Sequence, residues 1–383
     1  MKYIERILFT TIILIQLTSC GIEKNIVPHN EGEWYIEKGV IKDNKTLKFK
    51  QSLNSLQDFN NSGNNNYFLI DSNIIVYDNL FHTITIFDYS GKIIKQNGGI
   101  EKTIDYNKFT RPYSFSNYSN GYVSIFGREY TLLSNELEIK SINKIKFLGG
   151  EKLKSMLSVP NPNNMTAYEL NERYKSFYQI SENEIIVSIE SEAPSFNSYN
   201  TLQYFLKSRP FGIFNIEKGT LAPVPITRSS LYKDKCCLTV QDASYIVKKD
   251  SLFYIQFAAD SLIYVYNKDF IQKYAFGNSG KFLQNKIYND GLDIAFDQEK
   301  YLTIEKKANS IEALFIFKKE FICRIINNNS SKEKYLQIYK GVNLIYEKEI
   351  PFTFKYIGTY TNKIVGIINN NENKKDICIL KLF

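Results

Sequence analysis

From residue 34 to the C-terminus, apolar residues gather in short runs broken by Gly, Asn, Asp and Lys, and hardly any stretch follows the 3.6-residue period of a helix. The sharpest example is Ile74-Ile75-Val76-Tyr77-Asp78, then Thr83-Ile84-Thr85-Ile86-Phe87-Asp88, the turn Tyr89-Ser90-Gly91-Lys92, and Ile93-Ile94-Lys95. The same order returns in Leu252-Phe253-Tyr254-Ile255-Gln256, Leu262-Ile263-Tyr264-Val265-Tyr266, the turn Asn267-Lys268-Asp269, and Phe270-Ile271-Gln272-Lys273-Tyr274. Strand, gap, strand, tight turn, strand, occurring twice, predicts a repeated β-meander. Weaker copies place second strands near Tyr122, Ile185, Phe321 and Ile364, at spacings of 43 to 69 residues, for six units in all. In the fifth unit, residues 287–304 compete with residues 311–326 for the first strands.

One four-stranded unit cannot bury both of its faces, whereas a radial array covers them and leaves only short protected edges. The expected fold class is therefore all-β, a six-bladed β-propeller of four-stranded antiparallel blades over residues 34–383. The alternative is a β-sandwich followed by a second β domain. The last unit ends on its third strand at Phe383, so a strand from Trp34-Tyr35-Ile36 or Leu47-Lys48-Phe49 is expected to close the ring.

Connections in a meander alternate sides. Third-to-fourth turns are short at 89–92, 135–136, 217–220, 267–269 and 340–343, while the long connections 143–176, 191–210 and 277–310 all fall on the other face. Long loops in compact domains commonly carry function. The ligand-binding residues expected from their content are Tyr168, Tyr174, Phe196, Tyr199, Tyr204, Arg209, Tyr288 and Asp290. Aromatics and Arg carry most of the energy at protein interfaces, and aromatics also stack on sugar rings. The competing role for the same aromatics is to plug the gaps between blades and cover the ring.

Ahead of this region, residues 7–17 are apolar apart from Thr10, Thr11 and Gln16, and Lys2 and Arg6 precede them. A helix of that length rises about 16 Å at roughly 1.5 Å per residue, about half of a ~30 Å hydrocarbon core. The basic flank and short apolar core describe a secretory signal peptide. It ends in Leu17-Thr18-Ser19-Cys20, which resembles the lipobox of bacterial lipoproteins. That resemblance implies a signal peptide over 1–19, lipidation of Cys20, and a polar tether over 20–33. Gly21 rather than Asp after the cysteine implies the outer membrane, with periplasmic and surface display both open. Together with the strand-turn pattern of 71–95 and the closing run Asp376-Ile377-Cys378-Ile379-Leu380-Lys381-Leu382-Phe383, the chain resembles the six-bladed, TolB-like β-propeller lipoproteins of diderm bacteria.

Charge and composition narrow the chemistry. The net charge of +8 falls to +7 once Lys2, Glu5 and Arg6 leave with the signal peptide, and the basic residues are scattered, which argues against nucleic acid as a partner. Cys236, Cys237, Cys323 and Cys378 are too few for a disulfide framework and read as small buried hydrophobes. Histidine is limited to His29, in the tether, and His82, a poor basis for a metal site or a Ser-His-Asp triad. Zinc, phosphate-loop, nucleophile-elbow and dinucleotide motifs do not occur. No catalytic residue, metal or cofactor is expected. Asn289-Asp290-Gly291-Leu292-Asp293 with Asp297 offers oxygens of the kind calcium takes, at a spacing that fits no EF-hand. The expected function is a non-catalytic module that binds a protein or glycan partner; the alternative is a polysaccharide hydrolase or lyase using paired carboxylates.

Overall fold

The six apolar runs near Ile74, Tyr122, Ile185, Leu252, Phe321 and Ile364 each lie in the second strand of a separate antiparallel sheet. The computed structural model describes residues 36–38, 49–57, 62–97, 112–147, 162–163, 168–171, 176–193, 195–199, 202–236, 238, 240–279, 297–369 and 375–382. Blade 1 is Asn65–Ile70, Asn73–Asp78, Ile84–Phe87 and Ile93–Asn97. Blade 2 is Ser114–Asn117, Gly121–Phe126, Glu129–Ser134 and Ile139–Lys144. Blade 3 is Phe177–Ser181, Glu184–Glu190, Phe211–Asn215 and Thr220–Pro223. Blade 4 is Ser244–Lys249, Leu252–Phe257, Ile263–Tyr266 and Gln272–Gly277. Blade 5 is Asn309–Phe317, Phe321–Asn328, Glu333–Lys340 and Asn343–Ile350. Blade 6 takes Lys355–Tyr360, Lys363–Asn369 and Lys375–Leu382 from the end of the chain and Phe49–Ser55 from its beginning.

The sheets stand in a ring, a six-bladed propeller, and the sandwich alternative does not apply. First strands lie inside, each beside the first strand of a neighbouring blade, and that of blade 6 returns to that of blade 1. Between blades 2 and 3 the Tyr113 hydroxyl makes the link: it lies 3.0 Å from the Ser176 carbonyl and accepts from the Ser188 N–H at 3.1 Å.

The ring explains why second strands read as unbroken apolar runs. Successive side chains of a strand point to opposite faces, and here both faces are covered. Ile74 and Val76 pack on Val365, Ile367, Ile377 and Ile379 of blade 6. Ile75 and Tyr77 pack on Phe115, Leu133 and Leu137 of blade 2. Cys323 and Cys378 fill the seam between blades 5 and 6 among Phe315, Ile325 and Leu380. Both thiols are free, and burial pushes that of Cys378 up to about 12.

Closure differs in detail from either expected segment. Phe49 of Leu47-Lys48-Phe49 opens the described part of the closing strand, which runs on to Ser55 and pairs antiparallel with Lys375–Leu382, Leu53 opposite Cys378; Leu47 and Lys48 lie outside the described residues. The other candidate overlaps Ile36–Lys38, which lies parallel to Gln272–Gly277 on the edge of blade 4; Trp34 and Tyr35 lie outside the described residues. In blade 5 the first strand is Asn309–Phe317, and the competing segment contributes the helix Gln298–Lys307 instead. Asp297, one of the calcium-type oxygens, is its N-cap and accepts from the Lys300 N–H at 3.0 Å.

The turn after the second strand of blade 1 is organised by Asp78, whose side chain accepts from the N–H groups of Leu80 and Phe81 and from the Ser62 hydroxyl, each at 2.8 Å. Burial alone would raise this carboxyl; the hydrogen bonds from Phe81, Ser62 and Leu80 outweigh it and hold the pKa below the ordinary carboxylate value. Beside it His82, at a φ of 52°, has its Nδ1 2.6 Å from the Tyr77 hydroxyl.

Candidate functional site

Tyr168 ties the first long connection to the second. Its hydroxyl donates to the Pro162 carbonyl at 2.7 Å and accepts from the Arg209 N–H at 2.9 Å. Arg209 returns to the first connection through Nε and Nη2, 3.0 and 2.6 Å from Asn163 Oδ1. Burial pushes the Tyr168 hydroxyl up to about 12, so it stays a neutral donor.

A line of aromatic rings continues from the second connection across blades 3 and 4. Tyr204, at the start of the short helix Tyr204–Lys207, meets Phe196 and Phe205 edge-on at 5.1 Å each, and its hydroxyl accepts from the Ser191 N–H at 2.8 Å. Phe205 meets Tyr232 at 6.0 Å, and Tyr232 meets Phe257 at 5.9 Å. The Arg228 guanidinium lies 4.8 Å over the Phe205 ring and 2.6 Å from Asp242 Oδ1, in a fully buried ion pair. Tyr199 from the second connection packs with Cys236, and with Tyr301 and Ile304 from the third. The three long connections thus form one interlocked layer.

That layer divides the expected binding residues. Tyr168, Phe196 and Tyr204 are 1 %, 2 % and 1 % exposed, so their rings cover the blades and are closed to a partner. Tyr199 and Arg209 stay half-exposed. Tyr174, Tyr288, Asp290 and the lipidation residue Cys20 lie outside the described residues. Two residues missed in the sequence stand out on the same connections: Leu202 and Leu302 are 47 % and 42 % exposed, close in sequence to Tyr199 and Tyr301. A leucine in a loop gives no signal of this by itself; only the packing of its neighbours shows that it was left outside.

Along the ring axis the inner strands enclose a chamber of about 470 Å³. Tyr67, Tyr178, Tyr245, Phe315 and Tyr356 line it, with the charged side chains of Glu312 and Lys355. Phe315 and Tyr356 stack at 4.3 Å between centroids and 14° between planes. Glu312 is paired with Lys334 at 2.6 Å, and Lys334 also donates to the Phe354 carbonyl at 2.6 Å. Lys355 is exposed, yet the protein around it lowers the pKa of its ammonium by partial desolvation; Glu312 raises it, and Lys375 and Lys334 lower it further. Among the described residues, no group of His, Cys, Asp and Glu is placed to hold a metal, and no helix is long and apolar enough to cross a membrane.

No protein-family model matches the chain, and no curated protein does. Among solved structures it is similar to a member of the DUF4221 family from Bacteroides vulgatus, with a TM-score of 0.60 and 12 % identity over 89 % of this chain and 99 % of that one. It is also similar to a Bacteroides fragilis protein named for an expected export, with a TM-score of 0.51 and 12 % identity over 91 % of this chain and 98 % of that one. What the chain shares with both is the fold.

Proposed function

We propose that this propeller is an exported lipoprotein of the TolB-like kind, held at the outer membrane by lipid on Cys20, that binds a protein or glycan partner through the face of the long connections and performs no chemistry of its own. The observation that carries the reading is the one-sided build of that face. Three connections are locked together by Tyr168, Tyr204 and the Tyr199–Tyr301 cluster, and they leave Leu202, Leu302, Tyr199 and Arg209 accessible. A rigid support under exposed apolar and Arg side chains is what interface anchors need.

Export is supported by the apolar run of residues 7–17 and the Leu17-Thr18-Ser19-Cys20 lipobox, and by the expected export after which the Bacteroides fragilis neighbour is named. Binding is favoured over hydrolysis or lysis because two candidate chemical groups already have structural duties: His82 lies at the Tyr77 hydroxyl and Asp297 caps a helix.

A single acyl chain holds a protein at a membrane only marginally, whereas two or more hold it stably. Growth with a radiolabelled fatty acid is therefore expected to label the wild type, recovered with the membranes, and to leave Cys20→Ala unlabelled. Equal labelling of the two proteins would remove the anchor from the account.

A further inference from the structure

We infer that the axial chamber binds a small organic anion built on a ring, with its carboxylate or phosphate held by Lys355 and its ring set against the Tyr356 side chain. The inference is independent of the membrane anchor and of the partner face.

Chain direction places the charged end of the chamber. All six inner strands run the same way around the ring, each beginning where a blade-to-blade connection arrives, on the face of the long connections. Lys355 is the first residue of its inner strand, and Tyr245 is the second of its own. Glu312 also lies in the first half of Asn309–Phe317. Both charges and the Tyr245 hydroxyl therefore sit toward that face.

The charges there do not balance. Glu312 is committed to Lys334 at 2.6 Å, which leaves two ammonium groups against one carboxylate, and Lys375 adds to the positive potential at Lys355. Among the described residues the Lys355 ammonium makes no ion pair or hydrogen bond, and the Tyr245 hydroxyl makes no hydrogen bond. An ammonium beside other ammonium groups and without a carboxylate of its own is stabilised by an anion that accepts from it. Tyr356, partly exposed and backed by the buried Phe315 ring, supplies an aromatic surface for a flat or pyranose body. A volume of 470 Å³ falls within the roughly 300–1,000 Å³ usual for small-ligand sites.

The test uses the full-length protein purified in detergent and isothermal titration with three matched pairs: 4-hydroxyphenylacetate and its amide, glucuronate and glucuronamide, glucose 6-phosphate and glucose. At least one anion is expected to bind about tenfold or more tightly than its neutral counterpart, the range of a hydrogen bond to a charged group. Lys355→Met should abolish that preference and Lys355→Arg should keep it, with both variants melting like the wild type. The carboxylate and phosphate arms tell which head group is taken. Binding of none of the anions, or a preference that survives Lys355→Met, would overturn the inference.

Discussion

Arg324→Met is expected to destabilise the propeller by about 3–5 kcal/mol, a fall of roughly 4–7 °C in thermal midpoint for a domain of this size. Arg324 is fully buried in the second strand of blade 5. Its Nε donates to Gln337 Oε1 at 2.7 Å and its Nη1 to Gln256 Oε1 and the Ser261 carbonyl at 2.8 Å each. Its Nη2 donates to the Tyr339 hydroxyl at 2.9 Å and to the Asn278 carbonyl. Gln256 and Ser261 belong to blade 4, Asn278 follows it, and Gln337 and Tyr339 belong to blade 5, so one guanidinium fastens two blades. Methionine fills similar space but takes the guanidinium donor from Gln256 Oε1 and the Ser261 carbonyl, the expensive side of hydrogen-bond asymmetry, while Gln337 Oε1, the Tyr339 hydroxyl and the Asn278 carbonyl keep donors in Tyr339, the Asn278 N–H and Gln337 Nε2. Arg324→Lys keeps the charge but not the fork of donors and is expected to lose most of the same stability. Thermal and urea unfolding followed by circular dichroism measure both, and a methionine variant as stable as the wild type would refute the fastening role.

Gly91→Ala is expected to cost about 2 kcal/mol or more beyond Gly341→Ala, although both glycines occupy the third-to-fourth turn of their blades. Gly91 has a φ of 84° and Gly341 one of 59°, so each substitution pays about 1 kcal/mol for a left-handed backbone. Their surroundings differ. A Cβ on Gly91 would lie 2.1 Å from the Ser55 carbonyl oxygen, whereas one on Gly341 would meet nothing within 4 Å. The Gln57 N–H donates to the Gly91 carbonyl at 2.7 Å, the Ile93 N–H to Gln57 Oε1 at 3.0 Å, and Asn54 Nδ2 to the Tyr89 carbonyl at 2.6 Å. These bonds stitch the closing strand of blade 6 to blade 1, so the added methyl pries at the ring closure, with overpacking worth about 1–3 kcal/mol. Amide hydrogen exchange should rise first in residues 49–55 and 375–382. Equal losses in the two variants would show that the seam does not depend on this contact.

How far the sequence could be read follows from how each strand is buried. Second strands are covered on both faces, so Ile74-Ile75-Val76-Tyr77 and its counterparts stood out, and the short turns between third and fourth strands fell where expected. The closing strand did not stand out, because Phe49-Lys50-Gln51-Ser52-Leu53-Asn54-Ser55 is an outermost strand with solvent on its free edge and mixed polarity. Arg324 left a sign that went unread: one charge inside Phe321-Ile322-Cys323-Arg324-Ile325-Ile326, a run otherwise apolar throughout. The loop aromatics carried no sign of their roles. Tyr168, Phe196 and Tyr204 serve the connections' own packing while Tyr199 and Arg209 remain accessible, and composition is the same for both duties.

Whether one face of the propeller carries the partner is tested most directly by placing a photo-crosslinking side chain at single exposed positions in living cells. Leu202 and Leu302 lie on the long connections, whereas Ile271, 56 % exposed in the third-to-fourth turn of blade 4, and Tyr360, at the end of the inner strand of blade 6, mark the opposite face. Irradiation is expected to give a discrete adduct from positions 202 and 302 and none from 271 and 360. Adducts from 271 and 360 alone, or from all four positions alike, would contradict it.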